Sequence, residues 1–502
     1  MTLLTRDPGG ILTPSRWSRN PELYTIKLRG QFTFQPAKIQ SSPIAFSCVA
    51  KFVGCSHSFH FNKSLSLRLI YRTCMATNST FQDTKSAHFI ELEDKHGAHN
   101  YHPLPVVLSR GEGVYLWDVE GKKYFDFLSA YSAVNQGHCH PKIIGAMREQ
   151  AETLTLTSRA FYNDCLGPYE KFVTEYFGFD KVLPMNTGAE AVETAIKLCR
   201  KWAYEKKGIA ENEAVIIVCE NNFHGRTTTI ISFSNDPDAQ KNFGPYTPGF
   251  VRIPYDDIDA LKAAASQKNV VGFLVEPIQG EAGVYTPSED FLTQAKNICN
   301  ENNILFIADE IQTGIARTGS LLAVCGNCSC ENHCEKQATY QKPDILILGK
   351  ALSGGTYPVS AVLADNAIME VIKPGQHGST FGGNPVAAKV AIAALEVVVE
   401  ENLTQNARRL GKIFREEMNR IISQSDLIVK VRGKGLLNAI IVNDTPDSDT
   451  AWRLCIALKD NGLLAKPTHG NIIRFAPPLV ITEQQLRECI AIIEKTISNF
   501  VK

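Results

Sequence analysis

Apolar and polar positions alternate along this chain in two rhythms. Short, wholly apolar runs at residues 214–219, 270–275, 304–308 and 345–348 are separated by stretches with the three-to-four-residue repeat of amphipathic helices. Strands alternating with helices predict a parallel sheet covered on both faces by helices. Upstream, Gly111-Glu112-Gly113 reads as a turn into a strand at 114–118. Gly121 turns that strand into a second one at 124–127, making a hairpin. From about residue 378 the pattern changes to a long helix, a strand at 435–442 and a last helix after Thr482, the signature of a smaller α+β unit. The longest apolar stretch, 386–399, is interrupted by Lys389 and Glu396 and reads as a core helix rather than a membrane span.

The first 74 residues break this pattern. Their only acids are Asp7 and Glu22, set among arginines, lysines and serines, a composition similar to that of an organelle transit peptide. A disordered tail, or sequence upstream of a start at Met75, fits the same residues. The expected organisation is an extension over 1–85, an N-terminal segment of the small domain at 86–140, a large domain at 141–377 with a Cys-rich insertion at 324–340, and the rest of the small domain at 378–502. The mitochondrial matrix is the expected location, or the cytoplasm if translation starts at Met75.

Composition narrows the functional classes. Lys+Arg and Asp+Glu are equal at 52 each, so no overall field favours nucleic acid or an anionic membrane, and neither is an expected partner. The 14 cysteines are mostly scattered through a long chain, which reads as small buried residues in a reducing compartment and not as a disulfide framework.

In open parallel sheets ligands bind beyond the carboxyl ends of the strands, and three such places carry suggestive residues. The run Ile304-Leu305-Phe306-Ile307-Ala308 ends in Asp309-Glu310. A carboxylate there is poorly solvated and suits a cation such as a pyridinium nitrogen, although Asp also caps helices. The run Ile345-Leu346-Ile347-Leu348 is followed by Gly349-Lys350. Burial favours an uncharged amine, the form that condenses with an aldehyde, although a lysine also snorkels to solvent. In Asn186-Thr187-Gly188-Ala189-Glu190 the Thr187/Glu190 spacing is that of a capping box, and the free N–H groups of Gly188 and Ala189 suit an anion such as phosphate, although they suit a plain capped helix as well. An amine, a carboxylate and a phosphate nest together are the parts that pyridoxal phosphate needs.

From about Gly97 to the C-terminus the chain resembles the class III, fold-type I aminotransferases, and within them the ornithine aminotransferase branch. The motifs include Gly97-Ala98-His99-Asn100-Tyr101-His102-Pro103, Tyr131-Ser132-Ala133-Val134-Asn135-Gln136-Gly137-His138, Val275-Glu276-Pro277-Ile278-Gln279-Gly280-Glu281, Leu348-Gly349-Lys350-Ala351 and His377-Gly378-Ser379-Thr380-Phe381. The resemblance implies a mostly parallel seven-stranded sheet flanked by helices, beside a smaller α+β domain. It implies that Lys350 attaches pyridoxal 5'-phosphate and shuttles the proton, and that Asp309 keeps the ring nitrogen protonated. Gln312 would meet the ring hydroxyl, Phe223 would stack on the ring, and Gly188 and Ala189 would hold the phosphate. Ser379 and Thr380 would reach the neighbouring subunit's phosphate, which makes a homodimer. For substrates it implies ping-pong transfer of the δ-amino group of ornithine to 2-oxoglutarate. Tyr101 and Tyr131 would contact ornithine, Arg226 would clamp the α-carboxylate of glutamate or 2-oxoglutarate, and Glu281 would mask a second arginine, Arg474. An acetylornithine or 4-aminobutyrate transaminase, and a non-catalytic scaffold, are the alternatives.

The chain departs from that resemblance after Thr318-Gly319, where an insertion of about a dozen residues carries Cys325, Cys328, Cys330 and Cys334 beside His333. Zinc, a redox pair and a solvated loop all fit these residues; no metal is expected, because only Ser329 separates the two cysteine pairs.

Overall fold

Val270–Val275 is buried at every position, as a strand must be when helices cover both faces of its sheet. Its neighbours follow suit, and the computed structural model, which describes residues 84–325 and 342–501, places fifteen strands among those residues. They are β1 (Leu108–Glu112), β2 (Tyr115–Asp118), β3 (Lys123–Asp126), β4 (Lys181–Met185), β5 (Val215–Cys219), β6 (Phe250–Ile253), β7 (Val270–Val275), β8 (Leu305–Asp309), β9 (Ile345–Leu348), β10 (Ser360–Ala364), β11 (Ile428–Lys434), β12 (Leu437–Val442), β13 (Leu463–Leu464), β14 (Lys466–Pro467) and β15 (Ile472–Phe475).

The central sheet has seven strands in the order β4-β10-β9-β8-β7-β5-β6. β6, β5, β7, β8 and β9 are mutually parallel, while β10 runs antiparallel to both β9 and β4. The fold is therefore α/β with the mostly parallel sheet that the apolar runs predict. Alternate residues feed two separate cores. Ile217, Phe273, Phe306 and Leu346 pack on one face, and Ile216, Leu274, Ile307 and Ile345 on the other.

Two four-stranded sheets flank this one, β1-β2-β3-β13 and β11-β12-β15-β14. The predicted hairpin is β2–β3, antiparallel as expected. The turn predicted at 111–113 lies later, because Gly111 and Glu112 belong to β1. Gly111 marks a close approach instead: a Cβ there would stand 2.9 Å from His138 Cβ. The predicted core helix is Pro385–Glu400, begun by Asn384, whose side chain accepts from Ala387 N–H. The last helix, Glu483–Ser498, opens with a Thr482/Gln485 capping box.

Among the described residues no helix is long and apolar enough to cross a membrane, and no His/Cys/Asp/Glu group could hold a metal ion. The transit-like segment and Cys328, Cys330, His333 and Cys334 lie outside the described residues, as does the side chain of Cys325. Of the remaining cysteines, six are buried and only Cys139 is exposed. Burial pushes the thiols of Cys199 and Cys299 up to about 12, so both stay protonated as small apolar side chains.

Candidate active site

β4, β5, β7, β8 and β9 all run in the same direction, so the segments that follow them share one edge of the sheet. Those segments carry Thr187-Gly188 after β4, Phe223-His224 after β5, Glu276 after β7, Asp309 closing β8 and Lys350 after β9.

Asp309 is 4% exposed. Its Oδ1 accepts from Ile311 N–H at 3.1 Å, and its Oδ2 lies 2.6 Å from Nδ1 of the buried His224. Burial alone would lower the His224 pKa; the hydrogen bond and charge of Asp309, with Glu276 behind, outweigh it and raise the pKa above the usual value. Glu276 accepts from Phe223 N–H at 2.9 Å. Burial, with the charge of Asp309 adding to it, pushes its carboxyl up to about 7. Phe223 is thus fixed through its backbone while its ring stays 37% exposed.

Lys350 begins a short 3-10 turn, Lys350–Ser353, with a left-handed φ of 43°. It lies deep in the protein yet keeps some solvent contact. Burial lowers its pKa, and Arg474 lowers it further, while Glu281, Asp309 and Glu276 act the other way. Glu281, Asp309 and Glu276 thus lie near enough for their charges to act on the amine.

The phosphate-nest segment has the predicted local structure. Thr187 Oγ1 accepts from Glu190 N–H at 3.2 Å and Glu190 Oε2 accepts from Thr187 N–H at 2.7 Å, closing a capping box on the helix Gly188–Trp202. The N–H groups of Gly188 and Ala189 fall in its first turn, where an anion is favoured. Gly188 also fits tightly, because a Cβ there would stand 3.0 Å from Ile311.

Opposite lies a second cluster. Arg474, 2% exposed on β15, donates through Nη1 to Glu281 Oε1 at 2.7 Å. Burial raises the pKa of Glu281, but Arg474 and Lys350 prevail and hold it at about 2. Gln312 Nε2 also donates to Glu281 Oε1, at 2.9 Å, and the ring of Tyr131 lies 5.1 Å from the Arg474 guanidinium. Burial, and then the Glu281 charge, raise the Tyr131 pKa.

Other predicted residues sit further out. Tyr101 is 72% exposed, near enough to Tyr131 for its charge to act there. Arg226 is exposed, 4.0 Å from Asp236 and with its guanidinium 5.8 Å from the Phe223 ring. Ser379 Oγ accepts from Asn186 Nδ2 at 2.7 Å, beside the phosphate-nest segment of the same chain, and Thr380 is exposed.

Neither His224 nor the buried state of Glu276 is among the sequence-based expectations. The signal for His224 was available: it follows β5 as Asp309 closes β8, and the strand-end rule applied there leads to it.

These residues fit pyridoxal phosphate. The Gln312 Oε1 is buried and has no partner among the described residues, and a Cβ on Gly280 would overlap it, so this acceptor suits a donor other than those residues, such as the ring hydroxyl of a bound cofactor. Asp309 would hold the ring nitrogen, Phe223 the ring face, Gln312 the ring hydroxyl, and the N–H groups of Gly188 and Ala189 the phosphate.

The sequence profile of the class III aminotransferases matches residues 96–497. The mitochondrial ornithine aminotransferase of Drosophila ananassae is 60% identical over 405 residues, covering 81% of this chain and 90% of that protein. The solved ornithine aminotransferase of Toxoplasma gondii is 44% identical with a TM-score of 0.78, covering 88% of this chain and 98% of that one. A solved structure from Elizabethkingia anophelis, described as an acetylornithine aminotransferase, is 69% identical with a TM-score of 0.75, covering 83% of this chain and all of that one.

Proposed function

Because this chain belongs to the class III aminotransferases, we infer that it is a pyridoxal-phosphate-dependent ornithine aminotransferase. It moves the δ-amino group of L-ornithine to 2-oxoglutarate, giving glutamate 5-semialdehyde and glutamate. The single observation that carries this reading is the agreement with ornithine aminotransferases at 54–60% identity over most of the chain. When bound, pyridoxal phosphate supplies the aldehyde that carries the amino group and the ring that takes up the electrons of the breaking C–H bond.

The residues divide the remaining tasks. The Lys350 amine, disposed by burial toward its neutral form, takes a proton from the δ carbon of ornithine and returns one to the α carbon of the nascent glutamate. The Asp309 carboxylate, braced by His224, keeps the ring nitrogen protonated. Two substrates must present different carbons to one amine. With Arg474 occupied by Glu281, ornithine enters with its α-carboxylate outward, toward Tyr101, Tyr131 and Arg226. Glutamate and 2-oxoglutarate bring a second carboxylate that competes for Arg474, while Arg226 clamps the other end in fork geometry.

The second reading, N-acetylornithine as donor, is favoured by the 69% identity to the Elizabethkingia structure. The test is one panel: ornithine, N-acetylornithine and 4-aminobutyrate, each with 2-oxoglutarate. Ornithine is expected to give the highest kcat/KM; a higher value for either competitor overturns the reading.

A homodimer is supported by the exposed Phe161, Tyr162 and Phe381, the last beside Thr380, and light scattering of the purified protein tests it. The mitochondrial matrix is supported by relatives named as mitochondrial and by the acid-poor N-terminus. Imaging of a C-terminally tagged full chain tests it.

A further inference from the structure

Tyr131 stands on unusual backbone. Ser129, Ala130, Tyr131 and Ser132 have φ values of 49°, 46°, 60° and 72°, four successive left-handed residues without a glycine. Each is disfavoured, because in that conformation Cβ crowds the following carbonyl oxygen. Such a turn persists only when its surroundings over-determine it.

The surroundings converge on one carboxylate. Asp126, 4% exposed at the end of β3, accepts through Oδ1 from Leu128 N–H at 2.8 Å and from Ser129 N–H at 2.9 Å. Its Oδ2 lies 2.7 Å from His138 Nε2. His138 is itself anchored, since its backbone exchanges hydrogen bonds with Gly113 at 2.8 and 3.0 Å. Beyond the turn, Ser129 Oγ donates to Ala476 O at 2.7 Å, two residues from Arg474. A continuous set of contacts therefore runs from Gly113, just after β1, through His138 and Asp126 to the turn that carries the Tyr131 ring beside the Arg474 guanidinium.

We propose that Asp126 is a positioning residue for the amino-donor subsite: its carboxylate holds the left-handed turn that sets Tyr131 against Arg474. The proposal rests on the reading of Tyr131 as a contact of ornithine. Asp126 touches neither donor nor cofactor in this scheme, so its removal acts through Tyr131 and weighs more on donor binding than on the acceptor, whose carboxylates are held by the two arginines.

The test is steady-state kinetics of the holoenzyme with both substrates varied. Asp126→Ala is expected to raise KM for ornithine about 5- to 30-fold, the range that corresponds to one or two kcal/mol, with a smaller rise in KM for 2-oxoglutarate and kcat little changed. Adding Ala130→Gly to that variant supplies a residue at ease in left-handed backbone at an exposed position, and is expected to recover much of the loss. A merely structural role for Asp126 would not be repaired by a glycine four residues away. Should Asp126→Ala fail to fold, Asp126→Asn and His138→Ala carry the test. Asn keeps the oxygen that accepts from Leu128 and Ser129 and retains the wild-type KM, whereas loss of His138 leaves Asp126 unanchored and raises it. An unchanged ornithine KM in Asp126→Ala or in His138→Ala, or no recovery with Ala130→Gly, overturns the proposal. Wild-type protein that does not turn over ornithine refutes the substrate reading and the proposal with it; wild-type turnover with indifferent variants refutes the proposal alone.

Discussion

Replacing Glu281 with Gln removes one charge and keeps the shape. The carboxylate it replaces has its pKa held at about 2 against an ordinary 4.5. At about 1.4 kcal/mol per tenfold, that depression is on the order of 3 kcal/mol of preference for the charged form. Arg474 provides the largest favourable part of it, and at 2% exposure Arg474 has little water to fall back on. In Glu281→Gln the guanidinium is left seeking an anion, and the glutamate carboxylate that Arg226 does not hold is the anion at hand. The specificity constant for glutamate as donor is expected to rise by about ten- to a hundredfold, since part of the 3 kcal/mol is spent on rearrangement. That for ornithine should fall, because its own carboxylate is now drawn to the wrong end of the site. Single-turnover half-reactions, followed by the absorbance of the cofactor with each donor separately, measure both constants. A glutamate-to-ornithine ratio within about twofold of the wild-type value, a difference under roughly half a kcal/mol, would refute the masking role. The same pair sets an acid limit. A depressed carboxylate contributes stability that is full above pH 4.5 and is lost as the pH falls toward about 2, so the stability difference between wild type and variant should shrink across that window.

Other outcomes follow from the same geometry. Lys350→Ala should abolish turnover and the visible absorbance of covalently held cofactor while leaving the far-ultraviolet circular dichroism unchanged; residual turnover near the wild-type rate would refute its role. His224 has a raised pKa, so the stability that its bond to Asp309 confers is full below pH 6.5 and fades as the pH rises through the folded-state value. Urea titrations of wild type and His224→Ala at pH 6 and pH 9 should converge at the higher pH. Thr187→Ala removes the cap of the helix Gly188–Trp202 and should cost about 1 kcal/mol of stability, with faster cofactor loss on dialysis. Arg226→Lys keeps the charge but loses the fork, and should lower kcat/KM for 2-oxoglutarate by about tenfold or more, with kcat less affected.

How far the sequence reveals all this depends on the kind of interaction. The central strands are legible because a strand buried on both faces is apolar throughout, as β7 is, and nothing solvent-exposed imitates it. Asp309 and Lys350 are legible for the complementary reason: a charge directly after such a strand has no cheap place to go. His224 and Glu276 also follow strands, but less directly, and only the folded chain shows that both are buried beside Asp309. The left-handed turn at Ser129–Ser132 is illegible, because none of its residues prefers that backbone and the hydrogen bonds that impose it come from Asp126 and Ala476. Gly111 misleads in the opposite sense, reading as a turn when its missing Cβ makes room for His138. The resemblance to class III aminotransferases supplied roles for Arg226, Glu281 and Arg474 that no local pattern carries.

The short strand β13 has a bearing on biosynthesis. It pairs in parallel with β3, and Ser129 reaches Ala476 across 347 positions of sequence. A ribosome that has made the whole central sheet has therefore not yet made the partners that shape the donor end of the cleft. Those contacts come late in synthesis and close long loops. A nascent chain that has already made its Asp309 strand and Lys350 strand still lacks the frame for Tyr131.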